Sequence, residues 1–245
     1  MAVGNMSSGT YTLLDIPTKA PRGLDYKTEW VSHSHRGRTI SPNAWQVEYP
    51  HIKSRLNQHV SPNEQGRQYT VPTIQMPDGS YLMDSYKIAE FIEEKHPVPN
   101  LPLNTPIQLR FRDSLIKFMG KLTPIYVPNV ATQLLGEESL EYFLTTRQED
   151  TGMPLDEYKK QQSPGAFERS EPFAREITAL LNESSLGPYF MGDTISYTDF
   201  MWAGILLFFK RLGTEEYQEV LRVTGDAGAH TRFLDALSPW TERED

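Results

Sequence analysis

The sequence contains no cysteine among its 245 residues. This absence excludes disulfide bonds and cysteine-ligated zinc, so any thiol chemistry must use a thiol that a ligand brings in. Basic residues are also outnumbered, with 24 Lys and Arg against 32 Asp and Glu and a formal net charge of −8. That balance argues against a nucleic-acid partner, which needs clustered positive charge, and against docking on an anionic membrane.

Long apolar segments and phosphate-binding loops are missing as well. The longest apolar run, Phe200–Phe209, is about half as long as a bilayer-spanning helix. The N-terminal residues lack the charged segment and apolar stretch of a secretory signal, so we expect a soluble cytoplasmic protein. There is no glycine-rich phosphate loop, and His33 and His35 lack the companions of a metal site, so we expect no metal.

The first hundred residues carry strand-like segments at 10–16, 24–31, 70–75 and 80–83. The last two flank Met76-Pro77-Asp78-Gly79, in which proline presets φ, Asp bonds its own backbone and Gly accepts a positive φ. The spacing predicts a β-hairpin. A helix should follow it at once, with Ser85 as its N-cap and with its end at Pro97.

The rest of the chain is predicted to be helical. Residues 96–106 contain four prolines and mark a domain boundary. Ser196 and Asp199 have the spacing of a capping box, and the apolar run that follows predicts a central buried helix. Helices are predicted at roughly 107–122, 124–135, 137–148, 167–184, 197–211, 214–222 and 227–237.

The hairpin and the helix after it suggest a ligand site. Proline at the start of a strand cannot donate to a sheet ladder, so a cis Val71-Pro72 bond there would turn a backbone group toward a ligand. The helix N-terminus behind Asp84 and Ser85 suits a carboxylate, and Asp84 suits an ammonium group. An amino-acid-like ligand fits this description. The alternative is that Ser85 is only a cap and Val71-Pro72 only a turn.

These motifs resemble the glutathione transferase family. The residues Val71-Pro72-Thr73-Ile74, Asp78-Gly79 and Leu82-Met83-Asp84-Ser85 look like its glutathione-binding half, and the Ser196…Asp199 box looks like one in its C-terminal domain. The segments Leu13–Pro17 and Gly23–Val31 are similar to the fungal, FuA-type branch related to bacterial β-etherases.

The resemblance implies an α/β thioredoxin-like N-terminal domain over residues 1–98 and an all-α C-terminal domain over 107–245. Pro72 would be the cis-proline, and the backbone of Val71 would pair with the cysteinyl part of glutathione. Asp84 and Ser85 would hold its γ-glutamyl end.

The resemblance further implies a small electrophilic substrate in a pocket walled by the C-terminal helices, and a homodimer. Phe111, Phe118 and Tyr126 occupy positions that would line that pocket. Their helical spacing fits core residues equally well.

The sequence departs from the family where the catalytic hydroxyl is expected. Only Thr18–Arg22 separates Ile16-Pro17 from Gly23, so the first helix is displaced or missing, and residues 32–47 read as an insertion. The insertion contains Ser41-Pro42-Asn43-Ala44-Trp45, which looks like the start of that helix. Ser41 is the candidate donor to the thiolate and Asn43 the second choice. The alternative for Ser41 is a loop serine that caps a short helix.

Three functions are therefore compared. The first is a glutathione transferase that attacks a small electrophile with the bound thiolate. The second is a glutathione-dependent cis-trans isomerase of a biosynthetic pathway, in which the thiolate adds to a double bond and later leaves. The third is a non-catalytic binding module. The atypical N-terminal half favours a specialised role in secondary metabolism over general detoxification.

Overall fold

The computed structural model describes residues 12–15, 45–76, 78–95, 97–98 and 100–241. The chain divides into two compact units, Met1–Pro99 and Asn100–Asp245. The division falls inside the proline-rich segment 96–106.

The first unit is built on a four-stranded sheet of order β2-β1-β3-β4. Its strands are β1 (Thr12–Asp15), β2 (Trp45–Gln46), β3 (Thr73–Gln75) and β4 (Tyr81–Met83). Strands β1 and β2 are parallel, β3 runs antiparallel to β1, and β4 runs antiparallel to β3. The predicted hairpin is confirmed, and Gly79 in its turn has the positive φ of 85° that the motif anticipates.

The sheet of this unit packs a helix on each face, because successive strand residues point to opposite sides. Helix α1 (Ile52–Leu56), which follows a 3-10 turn at Tyr49–His51, buries Ile52 and Leu56 with Val47 and Met83. Helix α2 (Ser85–Lys95) buries Ile88 against Ile74 on the other face. Among the described residues of this unit, one apolar cluster lies on each side of the hairpin.

The parallel partner of β1 differs from the expectation. Leu14 pairs with Trp45 and Asp15 with Gln46, so the end of the supposed insertion 32–47 contributes a strand, and Val47 contributes to the core. The connection between these parallel strands spans residues 16–44, which is long enough for a helical crossover. The prediction that the first helix is displaced or missing concerns residues outside the described part of the chain and stays a prediction. The predicted strand at 24–31 lies outside the described residues.

The second unit is helical throughout its described part. Its helices are α3 (Pro106–Gln133), α4 (Glu137–Thr151), α5 (Leu155–Gln162), α6 (Ala166–Leu181), α7 (Tyr197–Leu212), α8 (Thr214–Thr224), α9 (Ala227–Ala236) and α10 (Ser238–Thr241). Helix α3 packs against α4, α5, α6 and α7, and α8 packs against α6 and α7. The predicted buried character of α7 is confirmed for Phe200, Trp202 and Phe209, whereas Leu207 and Phe208 remain partly exposed.

Helix α3 corrects the prediction of two helices broken near residue 123. It continues through Pro124 and Pro128, although proline has no N–H to bond the carbonyl four residues earlier. The hydroxyl of Thr123 lies 3.2 Å from the carbonyl of Gly120 and donates to it, which offsets the donor that Pro124 lacks. Buried apolar residues on both sides of the prolines keep the helix whole. Helix α5 was not predicted, because its sequence is mostly polar.

Candidate functional site

The segment that leads into β3 is held tightly against β4. The Val71-Pro72 peptide bond is cis, as predicted. The N–H of Thr70 donates to Met83 Sδ over 3.2 Å, and the buried hydroxyl of Thr73 donates to the Thr70 carbonyl over 2.9 Å. No hydrogen bond of Val71 occurs among the described residues.

The start of α2 lies across the hairpin from this segment. Thr73 pairs with Met83, and Thr70 bonds the sulfur of the same Met83, so the Val71-Pro72 bond lies beside the end of β4, two residues before Ser85. Two chain segments that are distant in sequence therefore meet at one corner of the sheet. This corner is the candidate site.

Asp84, and not Ser85, caps helix α2. One carboxylate oxygen of Asp84 accepts hydrogen bonds from the N–H of Tyr86 at 2.8 Å and of Lys87 at 3.3 Å. Its carbonyl accepts the first helical bond, from Ile88, at 2.9 Å. Asp84 has φ of 90°, a left-handed conformation that Asp tolerates better than most residues. Ser85 is therefore the first helical residue, which corrects the predicted N-cap.

Because Asp84 caps the helix, the hydroxyl of Ser85 is available to a ligand. Its side chain is half-buried, and neither its hydroxyl nor its N–H has a partner among the described residues. The second carboxylate oxygen of Asp84 is likewise unused there. The corner thus combines a hydroxyl, a helix N-terminal N–H and a carboxylate, which together match an α-carboxylate and an ammonium group on one ligand.

The other predicted site residues are placed less directly. Ser41 and Asn43 lie outside the described residues. Phe111 and Phe118 have no exposed surface and pack edge-on against Trp202. They are core residues of the helical unit, which corrects their assignment to a substrate pocket. Helical spacing cannot separate the two roles, because a core stripe and a pocket wall show the same period.

Tyr126 remains a candidate, because it is only half-buried. Its ring packs edge-on against Phe208 and Phe209, with centroids 5.9 and 6.4 Å away. Three polar residues close to it in the fold were not found from the sequence: Asn129, Lys159 and Glu216. The hydrogen bonds that join them span 30 and 87 sequence positions, so no local pattern reveals them.

The predicted capping box at the start of α7 is confirmed. The carboxylate of Asp199 accepts from the N–H and the hydroxyl of Ser196 and from the N–H of Phe190, at 2.7 to 2.9 Å. Burial raises the pKa of Asp199 to about 6, and these hydrogen bonds act in the opposite direction. This is a structural element of the helical unit and holds the loop before α7.

Within the described part of the chain, no set of three His, Asp or Glu side chains is arranged to hold a metal ion. No helix there is long and apolar enough to cross a bilayer.

Comparisons with known proteins agree with this architecture. The C-terminal domain model of the glutathione S-transferase family matches residues 107–240, more than half of the chain, and the N-terminal domain model matches residues 20–95. The chain is also similar to a glutathione S-transferase-like protein, ustS, of Aspergillus flavus. The two are 26% identical in an alignment of 193 positions that covers 71% of this chain and 69% of ustS.

Solved structures share the fold over nearly the whole chain. Glutathione transferase GSTFuA3 from Phanerochaete chrysosporium is 24% identical, with 96% of this chain and 98% of that chain covered and a TM-score of 0.76. The glutathione S-transferase CsGST63524 of Ceriporiopsis subvermispora, solved with glutathione, is 23% identical, with 96% and 99% covered and a TM-score of 0.77. A small thioredoxin-like sheet unit followed by a helical unit is the fold of glutathione-binding transferases. The chain belongs to the glutathione S-transferase family.

Proposed function

We propose that this chain is a glutathione transferase that binds glutathione at the corner between Val71 and Ser85. The supporting observation is that Ser85 does not cap its helix. Within the described part of the chain, its hydroxyl, its N–H and the backbone of Val71 have no hydrogen-bond partner. In this proposal the γ-glutamyl carboxylate accepts from Ser85, and Asp84 receives the γ-glutamyl ammonium group. The backbone of Val71 then pairs with the cysteinyl part, as in an added strand.

The chemistry requires that the bound thiol lose its proton. A free thiol has a pKa of about 8.5, so only a small fraction is thiolate at neutral pH. A single donor aimed at the sulfur stabilises the thiolate, and lowering the pKa by about two units corresponds to roughly 2.7 kcal/mol. We propose Ser41 as that donor, with Asn43 as the alternative. The thiolate then forms a carbon–sulfur bond to an electrophilic carbon of a small substrate. In a displacement the leaving group departs with its bonding electron pair, and in an addition the π electrons move to the neighbouring atom, which takes a proton from water. The product in both cases is a thioether.

Calorimetric titration with reduced glutathione tests the binding site. Ser85→Ala should weaken binding by about 1–3 kcal/mol, since it removes a donor from a charged group. Ser80→Ala is the matched control, because Ser80 lies at the opposite, turn end of the same hairpin and bonds Asp78. Equal dissociation constants for the wild type and Ser85→Ala would reject the assignment. No heat of binding in the wild type would favour a non-catalytic module.

Product mass then distinguishes the reaction classes. A product heavier by one glutathione indicates transfer, and an unchanged mass with altered double-bond geometry indicates the isomerase. Ser41→Ala should keep glutathione binding and lower turnover. Unaltered turnover in Ser41→Ala would mean that this serine has no catalytic role.

We propose that the chain is a cytoplasmic homodimer, which family membership supports. We propose a role in secondary metabolism because the sequence of the N-terminal half departs from the family pattern. Light scattering after gel filtration tests the dimer, because a mass near 28.0 kDa would identify a monomer.

A further inference from the structure

Three helices of the second unit bring a lysine, an asparagine and a glutamate into one chain of hydrogen bonds. Lys159 Nζ on α5 donates to Asn129 Oδ1 on α3 over 2.6 Å. Asn129 Nδ2 donates to Glu216 Oε1 on α8 over 2.7 Å. An ammonium group only donates and a carboxylate only accepts, so the charges at both ends fix the orientation of the amide. Asn129 is buried, which anchors the head group of Lys159 at a defined position.

Two tyrosines stand beside this chain of hydrogen bonds. Tyr126 precedes Asn129 by about one turn of α3, and Tyr158 directly precedes Lys159 on α5. The pKa of Tyr158 is raised, first by burial and then by the phenol of Tyr126. Neither hydroxyl has a hydrogen-bond partner among the described residues. We refer to Tyr126, Asn129, Tyr158, Lys159 and Glu216 as the Lys159 cluster.

The Lys159 cluster has hydrogen-bond donors that no residue of the described part of the chain uses. The ammonium group of Lys159 has three N–H donors, of which Asn129 takes one, and no carboxylate pairs with it in the described part of the chain. The phenol of Tyr158 adds a further donor. All of these side chains except Asn129 are half-buried, so a ligand can reach them while water is partly excluded.

An aromatic surface adjoins these donors. The ring of Tyr126 packs against Phe208 and Phe209 of α7, and Phe208 is itself partly exposed. Flat hydrocarbon groups bind well against such rings. A carboxylate gains most from an ammonium group whose position is already fixed, because charge-assisted hydrogen bonds are stronger than neutral ones.

We infer that the Lys159 cluster binds a small aromatic or conjugated carboxylic acid, with its carboxylate on Lys159 and Tyr158 and its flat part along Tyr126 and Phe208. Binding of the acid requires no glutathione. The inference does not rest on the proposed function, because every residue of the Lys159 cluster lies in the second unit.

The test compares trans-cinnamate with its neutral amide, cinnamamide, in calorimetric titrations of the full chain. Cinnamate should bind at least roughly tenfold more tightly than the amide, as expected for a hydrogen bond to a charged group. Lys159→Gln should reduce cinnamate binding to the level of the amide and leave amide binding unchanged. Lys160→Gln is the matched control, since Lys160 is the next residue of α5 and is exposed. It should alter neither dissociation constant.

Tyr158→Phe keeps the test valid if Lys159→Gln disturbs folding, because the hydroxyl that it removes has no partner in the described structure. This variant should weaken cinnamate binding and spare the amide. Equal affinity for acid and amide in the wild type, no saturable cinnamate binding at millimolar concentration, or equal effects of Lys159→Gln and Lys160→Gln would each overturn the inference.

Titration of the same samples with reduced glutathione keeps the two proposals apart. Normal glutathione binding without a preference for the acid rejects only the Lys159 cluster as an acid site. A preference for the acid without glutathione binding rejects only the proposed transferase function.

Discussion

Trp202 Nε1 donates a hydrogen bond to His230 Nδ1 over 2.9 Å, and both side chains are fully buried. An indole nitrogen can only donate, so Nδ1 of His230 must be unprotonated and its proton must sit on Nε2. Nε2 lies 2.8 Å from the hydroxyl of Thr178 and donates to it. That hydroxyl in turn donates to a backbone carbonyl, with Thr224 O at 2.9 Å. The network thus requires a neutral imidazole.

Acidification should therefore weaken the fold through His230. Burial lowers its pKa from 6.5 to about 4, so between these values the unfolded chain binds a proton that the folded chain does not. The free energy of unfolding should fall as the pH drops through this window, by about 3 kcal/mol at roughly 1.4 kcal/mol per pH unit. In urea unfolding, His230→Gln should be least stable relative to the wild type at neutral pH. The difference should shrink toward pH 4, and a constant difference would contradict the assignment.

Asp199 should show the opposite dependence. Burial raises its pKa from 3.8 to about 6, so the folded chain binds the extra proton and acidification through this window stabilises the fold by about 3 kcal/mol. Asn cannot bind this proton, so Asp199→Asn does not gain that stability on acidification. Its amide group would also face the two donors of Ser196, so it should be destabilised at neutral pH and more so near pH 4. The same urea series measures both variants, and a deficit that shrank on acidification would refute this sign.

Two hydroxyls near the start of α7 should differ sharply on removal. The hydroxyl of Ser196 bonds Asp199, whereas that of Thr198 is buried with no hydrogen-bond partner in the described structure. Ser196→Ala should cost about 0.5–2 kcal/mol, as for other N-caps. Thr198→Val preserves shape and should be neutral or stabilising by up to about 1 kcal/mol. Thermal melts of both variants decide this, and a large loss in Thr198→Val would point to a bound water that satisfies the hydroxyl.

Asp84 should have separable roles in folding and in ligand binding. Asp84→Ala removes the cap of α2 and places alanine at φ of 90°, so it should lose about 1–3 kcal/mol of stability. Asp84→Asn keeps a side-chain acceptor and tolerates that backbone. It should stay near wild-type stability while binding glutathione more weakly, because the negative charge opposite the ammonium group is gone. Thermal melts and glutathione titration on both variants test this. Wild-type glutathione affinity in Asp84→Asn would remove Asp84 from the ligand site.

Features set by local sequence were predictable. The hairpin follows from Asp78 and Gly79, because Asp78 accepts from the N–H of Ser80 two residues on and Gly79 takes the positive φ. The capping box follows from the spacing of Ser196 and Asp199. In both cases the interacting residues lie within three positions, so their geometry is nearly independent of the rest of the fold.

Features that depend on tertiary contacts were not predictable. Asp84 and Ser85 are equally good N-caps by composition, and only the backbone conformation selects Asp84. Pro124 normally predicts a helix end, but burial on both sides of it overrides that preference. The hydrogen bonds of Lys159 and Glu216 to Asn129 join α5 and α8 to α3, and no periodicity connects these positions.

The two prolines of α3 have a mechanical consequence. The helix has 28 residues and is about 42 Å long at about 1.5 Å per residue. Pro124 and Pro128 each omit one of the hydrogen bonds that stiffen such a rod, in successive turns. The rod therefore has one compliant joint. On one side lie Phe118 and the aromatic core, and on the other lies Asn129. Residues on both sides of this joint are buried, so side-chain packing, and not backbone hydrogen bonding, sets the direction of the end of α3 that carries Asn129.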